Sequence, residues 1–209
     1  MNSKFLIQIV AASACLIAGC SSVSPSAKID TLEGVFRTLP PKYLADSSFE
    51  SREQLLTDLQ SDEDAYRWDP ANKWMNYFSD SGPVPPTSMI YLKVFADVDG
   101  HGVVFVHMPK PHASGEPPSA NQTFVLKVGP DGNWQDVTRE LMPPDADLTA
   151  HYSPTKTQPM IEVALYERYQ RADGKGEAYG FGKYTQELWW NGSRFELRNV
   201  VPRKLADLL

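Results

Sequence analysis

The sequence predicts an α+β fold: short N-terminal helices followed by a mostly antiparallel β-meander. Two apolar stripes at helical spacing lie before residue 60. From Ser88 onward the apolar residues recur in short β-branched and aromatic runs. Turns rich in glycine and aspartate separate those runs at hairpin distance. Helices in one part of a chain and hairpin-linked strands in the other place the helices against an antiparallel sheet.

The first helix is predicted to open at Ser24, its cap, with Pro25 at the first helical position. Ile29, Leu32, Phe36 and Leu39 form its apolar face, and Pro40-Pro41 stops it. The second spans Ser51 to Leu59. There Ser51 and Gln54 have capping-box spacing, and Leu55, Leu56 and Leu59 make the buried stripe. Ser61 to Asp64 reads as an acidic surface connector. Trp74, Met75 and Phe78 share a face if Pro70 opens a further short helix. With Tyr66, Trp68 and Tyr77 these aromatics are expected to roof the core, and Trp74 is also a candidate platform for sugar or peptide. Ser79 to Thr87, with Gly82, Pro83, Pro85 and Pro86, marks the boundary between a helical part, 28–80, and a β-rich part, 88–200.

About seven strands are expected in the β-rich part. Met89 to Val98 is apolar on nearly both faces, which predicts a central strand. Asp99-Gly100-His101-Gly102 turns it into Val103 to Met108. Pro109 to Ala120 reads as a long loop. Gln122 to Val128 and Asn133 to Val137 flank the turn Gly129-Pro130-Asp131-Gly132. Leu141 to Gln158 is proline-rich and expected to be mostly loop. Met160 to Tyr169, a turn at Arg171 to Gly176, and Tyr179 to Trp190 extend the meander. Asn191-Gly192 is a strong hairpin signal and leads into Arg194 to Val200. Arg203 to Leu209 reads as a terminal helical turn.

The first twenty residues carry a different message. Lys4 precedes an almost wholly apolar run, Phe5 to Ala18, long enough for a secretory h-region and shorter than the ~20 residues that span a bilayer. It ends in Leu16-Ile17-Ala18-Gly19-Cys20, which resembles the lipobox of bacterial lipoproteins. That resemblance implies a signal peptide, 1–19, cleaved before Cys20. It also implies diacylglycerol on the Cys20 thiol and acylation of the new amino group. Ser21 stands where an aspartate would resemble an inner-membrane retention signal, so the implied address is the outer membrane, lipid-anchored on the periplasmic side. Residues 20–27 then form a lipidated flexible tether, and 28–209 a single α+β domain.

Removing the leader leaves 190 residues with 19 basic and 26 acidic side chains, a net charge of −7. Such a surface disfavours nucleic acid and anionic lipid. The two cysteines are Cys15, lost with the leader, and Cys20, consumed by lipid, so the folded part carries no disulfide, thiol nucleophile or thiolate metal site. Burial must hold it together, and 42% apolar residues make that feasible.

Asp97-Val98-Asp99-Gly100-His101-Gly102 resembles the calcium loop of the FG-GAP and integrin-like β-repeat proteins. The resemblance implies Asp97 and Asp99 as oxygen ligands. His101 departs from it by offering nitrogen, and Phe105 and Met108 stand where further acids would serve calcium. Read from the residues alone, the segment is a two-glycine hairpin turn with a solvated aspartate pair. His107 is expected at a strand end, and His101, His112 and His151 in loops. Ser153-Pro154-Thr155-Lys156 has the Ser-x-x-Lys spacing of penicillin-recognising enzymes but lacks the partner motifs. Trp189 and Trp190 precede the Asn-Gly turn. Neighbouring strand residues face opposite ways, so one enters the core and the other meets solvent as a contact residue.

No catalytic set is recognisable. The expected function is a non-enzymatic binding module, anchored in the membrane by lipid and facing the periplasm, for a protein or envelope polymer. The alternatives are a cell-envelope hydrolase with an unrecognised active site, or an inhibitor or immunity protein against a toxic hydrolase.

Overall fold

The computed structural model describes residues 31–44, 52–61, 67–78, 89–109, 122–129, 131–147, 149–170 and 177–199. The expected lipobox, the tether and the C-terminal helical turn lie outside them; the helix expected to open at Ser24 begins instead at Leu32, capped by Thr31. Helix α1 is Leu32–Thr38, a 3-10 turn covers Pro41–Tyr43, and α2 is Arg52–Ser61. The strands are β1 Trp68–Asp69, β2 Trp74–Phe78, β3 Met89–Ala96, β4 Gly102–Met108, β5 Gln122–Val128 and β6 Trp134–Asp136. One-turn helix α3, Thr138–Leu141, follows; then come β7 His151–Pro154, β8 Met160–Gln170, β9 Glu177–Trp190 and β10 Phe195–Asn199. Among the described residues all pairings are antiparallel between chain neighbours, so the fold is α+β with a meander. The meander runs as two sheets. The first has order β1-β2-β3-β4-β5-β6 and the second β10-β9-β8-β7.

The first sheet is the middle of three layers, and side-chain alternation along its strands shows why. Ile90, Leu92 and Val94 of β3, with Val104, Val106 and Met108 of β4 and Leu126 of β5, pack against Leu32, Val35, Phe36, Leu56 and Leu59 of the helices. The intervening residues Phe95, Val103, Phe105 and Val125 pack against Tyr152, Ile161, Val163, Leu188, Trp190 and Phe195 of the second sheet. The run of apolar residues in β3 and β4 is therefore explained: each strand has a core on both faces. Burial of each large side chain contributes about 1.5–3 kcal/mol.

Local chemistry fixes the helices. The Thr31 hydroxyl caps α1 by accepting from the Gly34 amide at 3.0 Å. Leu39 is extended, as a residue before proline must be, and ends the helix. The Arg52 guanidinium donates to the Phe36 carbonyl at 3.4 Å and the Arg37 carbonyl at 2.9 Å, closing the C-terminal end of α1. Arg37 is paired with Glu33 and Glu53, which ties the two helices together.

Three expectations are corrected. The segment containing Trp74, Met75 and Phe78 is a strand, not a helix, so β1 and β2 lie within the part expected to be helical, 28–80. The spacing of those aromatics suits either structure, and pairing of Met75 with Leu92 decides for the sheet. Residues 141–158 are mostly loop, but His151, expected in a loop, opens strand β7, His151–Pro154. Ten strands, rather than about seven, appear among the described residues, the additions being β1, β2 and β7.

Candidate functional site

Strand β7 is an edge. It pairs with β8 on one side, leaving Tyr152 and Pro154 with backbone groups turned toward the first sheet. Unpaired edge groups cost free energy unless satisfied. Here side chains take the place of a neighbouring strand. The Tyr152 amide donates to Nε2 of His107 at 3.2 Å. The Trp74 indole donates to the Pro154 carbonyl at 2.8 Å. Lys93 Nζ donates to the carbonyls of Thr155 at 2.9 Å and Lys156 at 2.7 Å. Pro154 suits this edge because its missing N–H would point away from β8. Trp74, a candidate platform for ligand, is 9% exposed and acts instead as one of these clamps. Replacing Trp74 with Phe keeps most of the ring but orphans the Pro154 carbonyl. It is expected to cost about 1–3 kcal/mol in denaturant unfolding, whereas a loss under about 0.5 kcal/mol would mean that the clamp contributes little.

His107 is the penultimate residue of β4, at the strand end as expected, and is fully buried. Its hydrogen bonds assign the tautomer. Nε2 accepts from an amide, so Nδ1 carries the proton and donates to Oγ1 of Thr123 at 2.9 Å. Burial, and secondarily the neighbouring His151, hold its pKa down at about 3. The His151 ring meets His107 at 5.2 Å and Tyr91 at 5.1 Å between centroids, both edge to face. Burial lowers the pKa of His151 as well. The Tyr152 hydroxyl donates to the Asp147 carbonyl at 2.7 Å, and burial pushes its pKa up, with the Asp147 charge adding to the effect.

Beside this cluster Lys156 pairs with Asp69 at 3.1 Å. The Asn72 side chain is the main cause of a depressed Asp69 pKa, about 2, with Lys156 contributing further. Burial lowers the pKa of Lys93, and the Asp69 charge opposes that shift. The Ser153-x-x-Lys156 segment is strand and turn, so no serine opens a helix there.

The proposed calcium loop is a hairpin tip. Gly100 takes φ +80°. Asp97 Oδ1 accepts from the amides of Asp99 at 3.0 Å and His101 at 2.8 Å, and Oδ2 meets Lys127 Nζ at 3.0 Å. Burial pushes the Asp97 carboxyl up, but Lys127 and the His101 amide outweigh it and hold the pKa below its ordinary value. Asp97, Asp99 and His101 bring ligand atoms within 4.8 Å of one another. The donor set nevertheless does not fit calcium. Asp97 already serves an ammonium and two amides, and the remaining members are one exposed carboxylate and a nitrogen.

Trp190 points inward, 7% exposed, and its indole donates to the Ala96 carbonyl at 2.7 Å. Trp189 points the other way and is half-buried. Its indole donates to Glu187 at 2.7 Å, and the Arg198 guanidinium lies 4.8 Å above its ring. Pairing places Glu162, Glu187 and Arg198 in one row on this outer face and Glu196 beside Trp189 in the next. The face thus combines an aromatic surface with three carboxylates and one guanidinium.

Two open clefts lie elsewhere. One of 520 Å³ is flanked by α1, Pro70 and Lys73. The other, 660 Å³, lies between β5 and the Met142–Pro144 strap and includes Asp136, Arg139 and Glu140. Its Asp136 carboxylate is already engaged by the Thr138 amide and hydroxyl at 3.0 and 2.6 Å. Sequence reasoning missed Lys93, the His107–His151 pair and Arg198. A single lysine inside the apolar run of β3 was the available signal for the first. The histidine pair carries no local signal, because its members are 44 residues apart. No family model matches this chain, and no similar curated protein or solved structure was found.

Proposed function

We propose that this chain is a bacterial envelope lipoprotein, held on the periplasmic side of the outer membrane through Cys20, whose outer β-face binds a basic partner without catalysis. The Leu16–Cys20 lipobox behind a short apolar run supports the anchor. The observation that carries the binding reading is Trp189 set among Glu162, Glu187 and Glu196 on an outward sheet face. Aromatics are enriched at interfaces, and a carboxylate field steers cationic partners. A basic hydrolase restrained by this protein would have the required chemistry, as would a cationic segment of another envelope protein.

Two substitutions test the reading. Cys20→Ala is expected to abolish lipid attachment and release the protein from the membrane fraction. Trp189→Ala is expected to weaken capture of a basic envelope partner about tenfold or more, with wild-type capture falling as salt rises. Unchanged membrane partitioning and mass in the first variant would contradict the anchor. Capture indifferent to Trp189 and to salt would contradict the binding face.

A further inference from the structure

We propose that His107 and His151 form an acid-sensitive latch that releases strand β7, the edge of the four-stranded sheet, from the six-stranded sheet while the six-stranded sheet itself stays folded. The geometry makes the bond between Tyr152 and His107 depend on a neutral ring. Nε2 is an acceptor only while it lacks a proton, and protonation turns it into a second donor facing the Tyr152 amide. His151 lies against the same ring at 5.2 Å, so charging either imidazole sets a cation beside the other.

Among the described residues, the surrounding groups supply no relief to His107. From β3 come Tyr91, ring against ring at 6.0 Å, and Lys93, one residue pair along the same face and itself cationic. From β5 comes Thr123, a hydroxyl. From β7 come His151 and Tyr152, whose phenol stays protonated. The connector before β7 brings Asp147, but its carboxylate accepts from the Thr149 amide at 2.8 Å and hydroxyl at 2.7 Å. The inexpensive response to acid is therefore to open the contact and hydrate the rings. Opening also uncovers the edge groups of Tyr152 and Pro154, creating in acid a strand edge available for pairing.

The latch is local because of what it holds. β7 contributes four residues, with β8 on one side and side chains on the other. β3 and β4 are each flanked by strands on both sides and covered on both faces. Sub-global opening draws on weakly held elements of this kind.

The test is amide hydrogen exchange of the full chain at pH 7 and pH 5, expressed as protection factors. With His107 held at about 3 and an opened ring at its ordinary 6.5, the Tyr152 protection factor is expected to fall roughly 25-fold, and further if His151 contributes. Val104 and Val106 amides, which exchange through global unfolding, are expected to lose protection by a similar factor but to stay better protected than Tyr152 at both pH values. His107→Gln keeps an acceptor for Tyr152 without a titrating ring and should remove most of the Tyr152 change. His151→Phe keeps the edge-to-face contact and should remove only its own share. Should His107→Gln fail to fold, the wild-type contrast between Tyr152 and the β4 amides decides alone. Tyr152 protection equal to that of the β4 amides at pH 5, or unchanged between pH 7 and 5, would overturn the latch.

Discussion

Replacing Phe105 with alanine is expected to cost about 3–5 kcal/mol, a large part of the 5–15 kcal/mol that holds a typical domain. Phe105 is completely buried at the middle of β4. Its ring meets those of Tyr152 and Phe195 at 6.0 Å, both from the second sheet. Removing it opens a cavity where the two sheets meet, and neighbours held in ladders on both sides cannot collapse into it. Equilibrium denaturation checks this directly. A loss below about 1 kcal/mol would mean that the second sheet does not cover this face. Val98→Ala serves as the contrast. Val98 is 76% exposed at the hairpin tip, and a change within about 0.5 kcal/mol is expected there.

Acid is expected to produce the second large effect. His107 has a folded pKa of about 3 against an ordinary 6.5. A histidine with a depressed folded value stabilises fully above its unfolded pKa, and that stability is lost as pH falls from about 6.5 toward 3. The slope is about 1.4 kcal/mol per unit, so His107 alone accounts for about 2 kcal/mol between pH 7 and 5. His151 acts in the same direction. Asp69, depressed to about 2, loses its contribution only below about pH 4, so among the described groups with shifted pKa the window between 5 and 7 belongs to His107 and His151. The urea midpoint should fall steadily from pH 7 to 5 and fall much less in His107→Gln. A wild-type midpoint that stays level across this window would contradict the buried neutral assignment.

Much of this fold was legible because its signals are local. Met89 to Val98 reads as a central strand because it is apolar on nearly both faces, and Val103 to Met108 as its hairpin partner; both strands carry a core on each face. The turn at Asn191-Gly192 was legible too, with Gly192 at φ +97°. Misreadings arose where contacts distant in the chain overrule local pattern. Trp74 to Phe78 has spacing compatible with a helix, but pairing with β3 makes it a strand. His151–Pro154 sits among prolines that suggest a loop, yet Pro154 falls at the edge position where a missing N–H does no harm.

The site was less legible for the same reason. Of Trp74, Trp189 and Trp190, only Trp189 offers a surface, and alternation predicted that one of the last pair would do so without saying which. The residues that join the sheets, Trp74, Lys93 and His107, come from three strands and meet a fourth far along the chain. Nothing in their spacing announces that together they replace a strand. Burying a lysine and a histidine in an apolar core is costly unless each is hydrogen-bonded; the turn after β7 supplies the bonds of Lys93, and Tyr152 of β7 and Thr123 of β5 those of His107.

The most direct measurement of this account is nitrogen-15 spectroscopy of the histidine rings across pH 7 to 4. The clamp between the sheets requires His107 to be neutral throughout while folded, with its proton on Nδ1 and Nε2 bare toward the Tyr152 amide. A ring that carries its proton on Nε2, or that titrates near 6.5 in the folded protein, would contradict it.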